Sequence, residues 1–255
     1  LHKPPGRDLC VETSARLGAG HHSFEVDHIT VSSGGQTLAR VQDVAAKAGK
    51  QLLTDGEAHR PALVLDLNAV LASLELSALK TFSPSVAEAI GRASSVSGTV
   101  RGRTAIRCYW DARDRPMQLE GAQAAGEFDL EQAAFQIEGS VHKAAGERLR
   151  VAASYSYQWE GGKGQGYGSG SVEAAGFAGQ GWYERLPGGD GPMQWAWGWL
   201  DIRDVQRMAA MLPAAAEGIR ADGLAGNMAA RWQWSRQSES FDLHTLFDVT
   251  GLRAA

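Results

Sequence analysis

The sequence predicts a mainly β protein: a long curved antiparallel sheet, forming an open or partly closed trough, with two short helical pairs set into it. Three observations lead there. Long segments alternate apolar and polar residues with a period of two. Glycine is abundant, at 31 of 255 residues, and punctuates those segments. One strand–helix–strand phrase, read over 74–110, returns over 199–234.

In the first copy of the phrase, Leu76, Leu79 and Phe82 recur at helical spacing, as do Val86 and Ile90. Ser83 before Pro84 suits an N-cap with proline at the first helical position, and Ser85 with Glu88 offers a capping box instead. Gly91 is a natural stop. After Gly98 the period becomes two. Val100, Gly102, Thr104, Ile106, Cys108 and Trp110 share one face; Arg101, Arg103, Ala105, Arg107 and Tyr109 share the other. In the second copy Ile202, Val205, Met208 and Leu212 keep helical spacing, and Asp201 or Asp204 caps the start. Pro213 divides the helix as Pro84 does. Gly226 takes the part of Gly98, and Met228, Ala230, Trp232 and Trp234 alternate onto one face. A period of about 125 residues exceeds the usual solenoid repeats, and the match is in the order of elements.

Taken in order, residues 1–22 lack periodicity, contain Pro4 and Pro5, and read as a lead-in segment. Phe24 and Val26, then Ile29 and Val31, give a strand with a phase change near His28, the mark of a bulge. Ser33-Gly34-Gly35-Gln36 is a turn and 38–44 a return strand. Residues 46–60 read as a polar loop. Leu63, Leu65 and Leu67 form a strand that feeds the first helical pair. Further antiparallel strands follow 99–111. The cleanest is Leu149, Val151, Ala153, Tyr155, Tyr157 and Trp159, opposed by Arg150, Ser154, Ser156 and Gln158. A glycine-rich section, 161–192, comes next; Gly164, Gly166, Gly168 and Gly170 alternate, which lets a sheet curl or another surface approach. Trp195, Trp197 and Trp199 occupy one face of the following strand. Phe241, Leu243, Thr245, Phe247 and Val249 finish the pattern. This describes one repeat-built β domain over 23–252, with units at about 61–160 and 193–252 joined by 161–192. The opening LHKPPGRDLC and the close FDVTGLRAA read as the interior of a longer protein, with any anchor outside this chain.

Composition and motifs narrow the chemistry. Net charge is −4 and no basic tract stands out, which argues against nucleic acid as a partner. No apolar run is long enough for a membrane-spanning helix. Cys10 and Cys108 lie far apart, and the place of Cys108 on an apolar face favours a buried free thiol. The glycine run at 161–170 is followed by SVEAAGFAG and no Gly-Lys-Ser/Thr ending, so it reads as a curved strand or loop rather than a phosphate cradle. His22 and His28 share a parity but stand about 20 Å apart at strand rise, too far for one metal ion. No serine has a nucleophile-elbow setting and no carboxylate pair stands out, so neither an enzyme nor a cofactor site is expected.

The aromatic and aliphatic faces carry the remaining signal. Val100, Ile106 and Trp110, then Leu149, Val151, Tyr155 and Tyr157, then Trp195, Trp197 and Trp199, and last Trp232 and Trp234, are the candidate lining residues. They either fill a core against other elements or line a groove for an apolar ligand. The charged row Arg101, Arg103 and Arg107 reads as a solvated face.

Two stretches, LELSALKTFSPSVAEAIGRASSVSGTVRGR and LDIRDVQRMAAMLPAAAEGIRADGLAG, together with SFEVDHITVSSGGQTLARVQDV, resemble the repeated phrase of the AsmA-like superfamily, which includes TamB-like, YhdP-like and YdbH-like proteins. The resemblance covers most of 23–252; the Gly- and Trp-rich section at 161–199 lies outside the pattern. It implies a curved sheet rolled into an apolar trough. It also implies a periplasmic or envelope location in Gram-negative bacteria, and passive phospholipid transport between inner and outer membranes. Acyl chains would lie along the apolar face, and inner- and outer-membrane proteins would be partners. The alternative is a structural or scaffolding β module of the envelope without bound lipid.

Overall fold

The computed structural model describes residues 9–17, 23–55, 58–77, 93–111, 119–137, 140–160, 163–187, 193–213, 224–237 and 240–254. The sheet is built from β1 (Leu9–Leu17), β2 (Ser23–Ser33), β3 (Gln36–Asp55), β4 (Ala58–Glu75), β5 (Ala93–Asp111), β6 (Leu119–Asp129), β7 (Ala133–Ile137), β8 (Val141–Lys143), β9 (Leu149–Glu160), β10 (Lys163–Ala174), β11 (Phe177–Leu186) and β12 (Met193–Ile202). A short helix, α1 (Val205–Met211), then precedes β13 (Leu224–Gly226), β14 (Met228–Gln237), β15 (Ser240–Asp248) and β16 (Leu252–Ala254). Twelve strands run antiparallel in the order β1-β2-β3-β4-β5-β6-β9-β10-β11-β12-β14-β15; β7 adds to β5, and β8 to β7. The sheet does not close, and β13 pairs with β16 in a small sheet of its own. This is the long antiparallel sheet that the sequence predicts. The first helical pair lies mostly outside the described residues. Of the second, α1 is the described part.

Two expectations for the amino-terminal third are corrected. The lead-in segment contains strand β1, laddered to β2 over Leu9↔Ser33 to Leu17↔Phe24. The stretch 46–60 is not a loop. It forms the far end of a long β3–β4 hairpin, with Ala46 opposite Leu67 and Ala48 opposite Leu65. Small alanines read as polar filler in isolation, but opposite a leucine row they let the larger side chains cover them. The phase change near His28 is a bulge. Ser14 pairs with His28 and Ala15 with Val26, which leaves Asp27 extra. Across the ladder Asp43 takes a φ of 50°.

The two copies of the phrase match residue for residue at their turning points. Gly98 has a φ of 81° and Gly226 of 110°, a left-handed region that costs a side chain about 1–2 kcal/mol. Gly98 pairs with Ala133 of β7, and Gly226 with Leu252 of β16. Each glycine leaves a short stub strand and enters a long one: the stub of β5 then its long part, or β13 then β14. In each copy the next strand ends on an aspartate that shapes the turn. Asp129 Oδ1 accepts from Glu131 N at 2.9 Å, and Asp248 Oδ1 from Thr250 N at 3.0 Å. Ala133 N donates to Leu130 O, and Leu252 N to Val249 O, both at 3.0 Å. The turn then delivers β7 or β16 back to the stub.

Helix α1 starts as the sequence indicates. Asp204 is its N-cap and accepts from Arg207 N at 3.0 Å. Gly176 O at the β10–β11 turn accepts from both Arg203 N (2.9 Å) and Asp204 N (3.1 Å), tying the helix to the sheet. Val205, Met208 and Met211 are buried against Leu149, Ala174, Phe177, Ile202 and Met228. Burial of each such side chain contributes about 1.5–3 kcal/mol. This cluster is the compact core of the molecule, and it covers one end of β9 to β14.

Candidate functional site

Register fixes which residues share a face. Following direct partners from β4 to β15, one face carries Leu63, Leu65 and Leu67, then Ile106, Cys108 and Trp110, then Ala122, Ala124 and Phe128. It continues through Val151, Tyr155 and Tyr157, the alternate glycines of β10, Tyr183, Leu200, Trp232, Trp234, Phe241, Leu243 and Phe247. The other face carries Asp66, Asn68, Arg103, Arg107, Gln123, Glu127, Ser154, Ser156, Ser169, Gln233 and His244. Over these nine strands, about 38 Å at strand spacing, one face is predominantly apolar, with Arg185, Gln194 and Arg236 at one end of it, and the other is mixed, carrying Val70, Tyr167 and Leu246 among its polar groups.

The sequence-predicted residues do not all meet. Val100, Ile106, Trp110, Leu149, Val151, Tyr155, Tyr157, Trp232 and Trp234 fall on the apolar face. Within that set Leu149 and Val100 are buried, and Leu149 belongs to the packed core under α1, so neither is open to a ligand. Trp195, Trp197 and Trp199 lie on the polar face, which corrects their grouping with the rest. Their partners are Glu184, Trp182 and Gln180 on β11 and Ser235, Gln233 and Arg231 on β14. Both sides of β12 look apolar in sequence. The choice is made by size: Gly198 leaves room for the Trp232 ring, which lies within 2.7 Å of where a Cβ would stand.

That pairing of ring and glycine recurs along the apolar face. Phe128 lies over Gly102 and Gly126, Tyr155 over Gly166 and Gly168, Tyr157 over Gly164, and Trp232 over Gly181 and Gly198. A ring lying flat on a neighbouring strand covers backbone that glycine leaves bare. The alternating glycines of β10 are thus seats for tyrosines of β9. Cys108 is half-buried on this face and Cys10 is exposed on β1; both are free thiols.

The polar face holds cross-strand ion pairs. Arg103 meets Glu127, Arg148 meets Glu173 at 3.0 Å, and Arg150 meets Asp129 at 3.4 Å. Asp66 accepts from Arg107 Nε and, at 2.9 Å, from Nη2. Exposed pairs of this kind contribute little to stability each, about 0–1 kcal/mol, which agrees with reading the arginine row as solvated. The Arg107 hydrogen bond holds the Asp66 carboxyl below its ordinary value of 3.8. A carboxyl with a lower pKa folded than unfolded adds stability above its unfolded value, and that contribution fades as pH falls through its folded value. Denaturant unfolding followed downward in pH is expected to show stability lost below about pH 4, with a shallower loss in Asp66→Asn.

Three hollows open on the polar face. One, of about 1150 Å³, is lined by Trp182, Trp195, Trp197 and Trp199 together with Glu184, Asp201, Arg231, Gln233 and His244. A second, of about 960 Å³, follows the small residues Ala45, Asn68, Ala105, Ala125, Ser154 and Ser169 across the strands. The third, about 520 Å³, runs beside it past Arg103 and Glu127. Sequence reasoning missed Trp182, which faces Trp197 with ring centroids 6.2 Å apart and planes 14° from parallel. The signal was its alternation with Gln180 and Glu184 on one side of β11. No protein-family model, curated protein or solved structure matches the chain.

Proposed function

We propose that the chain is a segment of an AsmA-like envelope protein whose open apolar sheet face, opposite the hollows, holds the acyl chains of a phospholipid, in the periplasm of a Gram-negative envelope, on a path between inner and outer membranes. One observation carries the reading: among the described residues the apolar face is continuous over the hydrogen-bonded strands and, beyond the end under α1, stands open. Among the described elements, strands pack substantially only on their ladder neighbours, and α1 covers one end. Leu65, Ile106, Val151 and Tyr155 in the middle of the face keep 36–42% of their surface exposed. Apolar area on this scale is rare on a protein that stays in water uncovered.

The chemistry needed is passive. Each CH₂ moved from water to this face gains about 0.8 kcal/mol, so a diacyl chain is held without a charged anchor. Flat rings over glycines keep the face smooth, which suits a chain that slides along it. No side chain need form or break a bond. The resemblance supplies the lipid class and the location; the open face supplies the reason a lipid fits.

The test is extraction of the chain, purified without detergent, followed by lipid mass spectrometry. Phospholipid in stoichiometric amount is expected. A folded chain that carries none, and takes up none from vesicles of phosphatidylethanolamine and phosphatidylglycerol, overturns the reading in favour of a lipid-free scaffold module.

A further inference from the structure

We propose that the tryptophan row on the polar face is a second site, a platform for a glycan chain, independent of lipid on the opposite face. Trp195, Trp197 and Trp199 stand at every second position of β12 on one face, about 7 Å apart along the strand. They form a line of rings rather than a cage. Trp197 and Trp199 keep 41% and 37% of their surface exposed, and Trp182 widens the middle of the line.

What flanks the rings identifies the ligand class. Trp195 sits between Glu184 and Ser235, Trp197 beside Gln233, and Trp199 between Gln180 and Arg231. Each ring has at least one hydrogen-bonding side chain next to it in the same row. A sugar presents an apolar C–H face, which stacks on an aromatic ring, bordered by hydroxyls that need donors and acceptors. An acyl chain has no use for the flanking amides, carboxylate and guanidinium, and burying them under it would cost free energy. Nucleic acid is disfavoured by the carboxylates Glu184 and Asp201 in the same hollow. A single cation is better held by rings on several sides than by a flat line. An extended oligosaccharide, laid along β12 with successive units over successive rings, uses both the rings and the polar groups beside them.

The experiment is intrinsic tryptophan fluorescence, with calorimetry, on the full chain titrated with cellohexaose and chitohexaose, and separately with oleate. Saturable binding of at least one hexaose is expected, weakened tenfold or more by Trp197→Ala and Gln233→Ala and largely kept by Trp197→Phe. A thermal melt checks that Trp197→Ala keeps the fold, and Gln233→Ala tests the site without removing the ring stacked on Trp182. No response to either hexaose, a response only to oleate, or hexaose binding that survives both alanine variants overturns the proposal. Lipid bound at Ile106 on the other face is a separate readout, so failure here and failure of the lipid reading are distinguishable.

Discussion

Gly98→Ala is expected to destabilise the protein by about 3 kcal/mol, and Gly226→Ala by a similar amount. Two costs combine at each position. A φ of 81° or 110° is strained for alanine. In addition, a Cβ at Gly98 runs into the backbone carbonyl of Gln132, and one at Gly226 into that of Gly251. The obstacle is backbone in both cases, so no side-chain rotation relieves it. Either the stub strand leaves its partner or the aspartate turn opens. Gly34 and Gly35 also have positive φ but open space around them, so Gly35→Ala should cost only the conformational part. Urea unfolding of the three variants measures the difference. Equal losses at Gly98 and Gly35 would show that the tight approach to β7 carries no weight.

Lys143→Met is the second large effect, expected at about 3 kcal/mol. Lys143 is 1% exposed. Its ammonium donates to the carbonyls of Ala133 at 2.7 Å, Ala144 at 2.9 Å and Glu131 at 3.2 Å. Burial pulls its pKa below the ordinary value, against the pull of Glu147, Glu131 and Asp129. The three carbonyls lie in and beside the turn that returns β7 to Gly98, so the lysine locks the same junction from below. Methionine fills the volume but leaves the carbonyls without that donor. Thermal unfolding should fall by several degrees, with hydrogen exchange rising first at the β7–β8 amides. A variant as stable as the parent would mean that the turn holds itself through Asp129 alone.

These junctions were the most legible part of the chain. Gly98, Gly226, the cap at Asp204 and the bulge by His28 each answer to a local rule, so the residues nearby suffice to read them. The long alternations at 99–111 and 149–160 were legible for the same reason. What was not legible depends on partners distant in sequence. Strand β1 and the far end of the β3–β4 hairpin lack a clean alternation, and they are strands because β2 and the facing half of the hairpin complete their ladders. For β12 the alternation predicts two faces but not which one joins the apolar side. That was decided by Trp232 across the ladder, which needs Gly198 beneath its ring. The ladder thus sets Ile106, Trp110, Val151, Tyr155, Tyr157, Trp232 and Trp234 on one face, buries Val100 and Leu149, and puts Trp195, Trp197 and Trp199 on the other face.

The lipid reading rests on the difference between the two faces, and one strand position apart is enough to separate them. Ile106 and Ala105 are neighbours in β5, both exposed, one on the apolar face and one on the polar. A photo-crosslinking amino acid placed at either, in cells or in vesicle suspensions, reports which face the phospholipid touches. Strong lipid adducts at 106 and few at 105 are the predicted result; equal labelling at both positions, or labelling confined to 105, would contradict lipid on the apolar face.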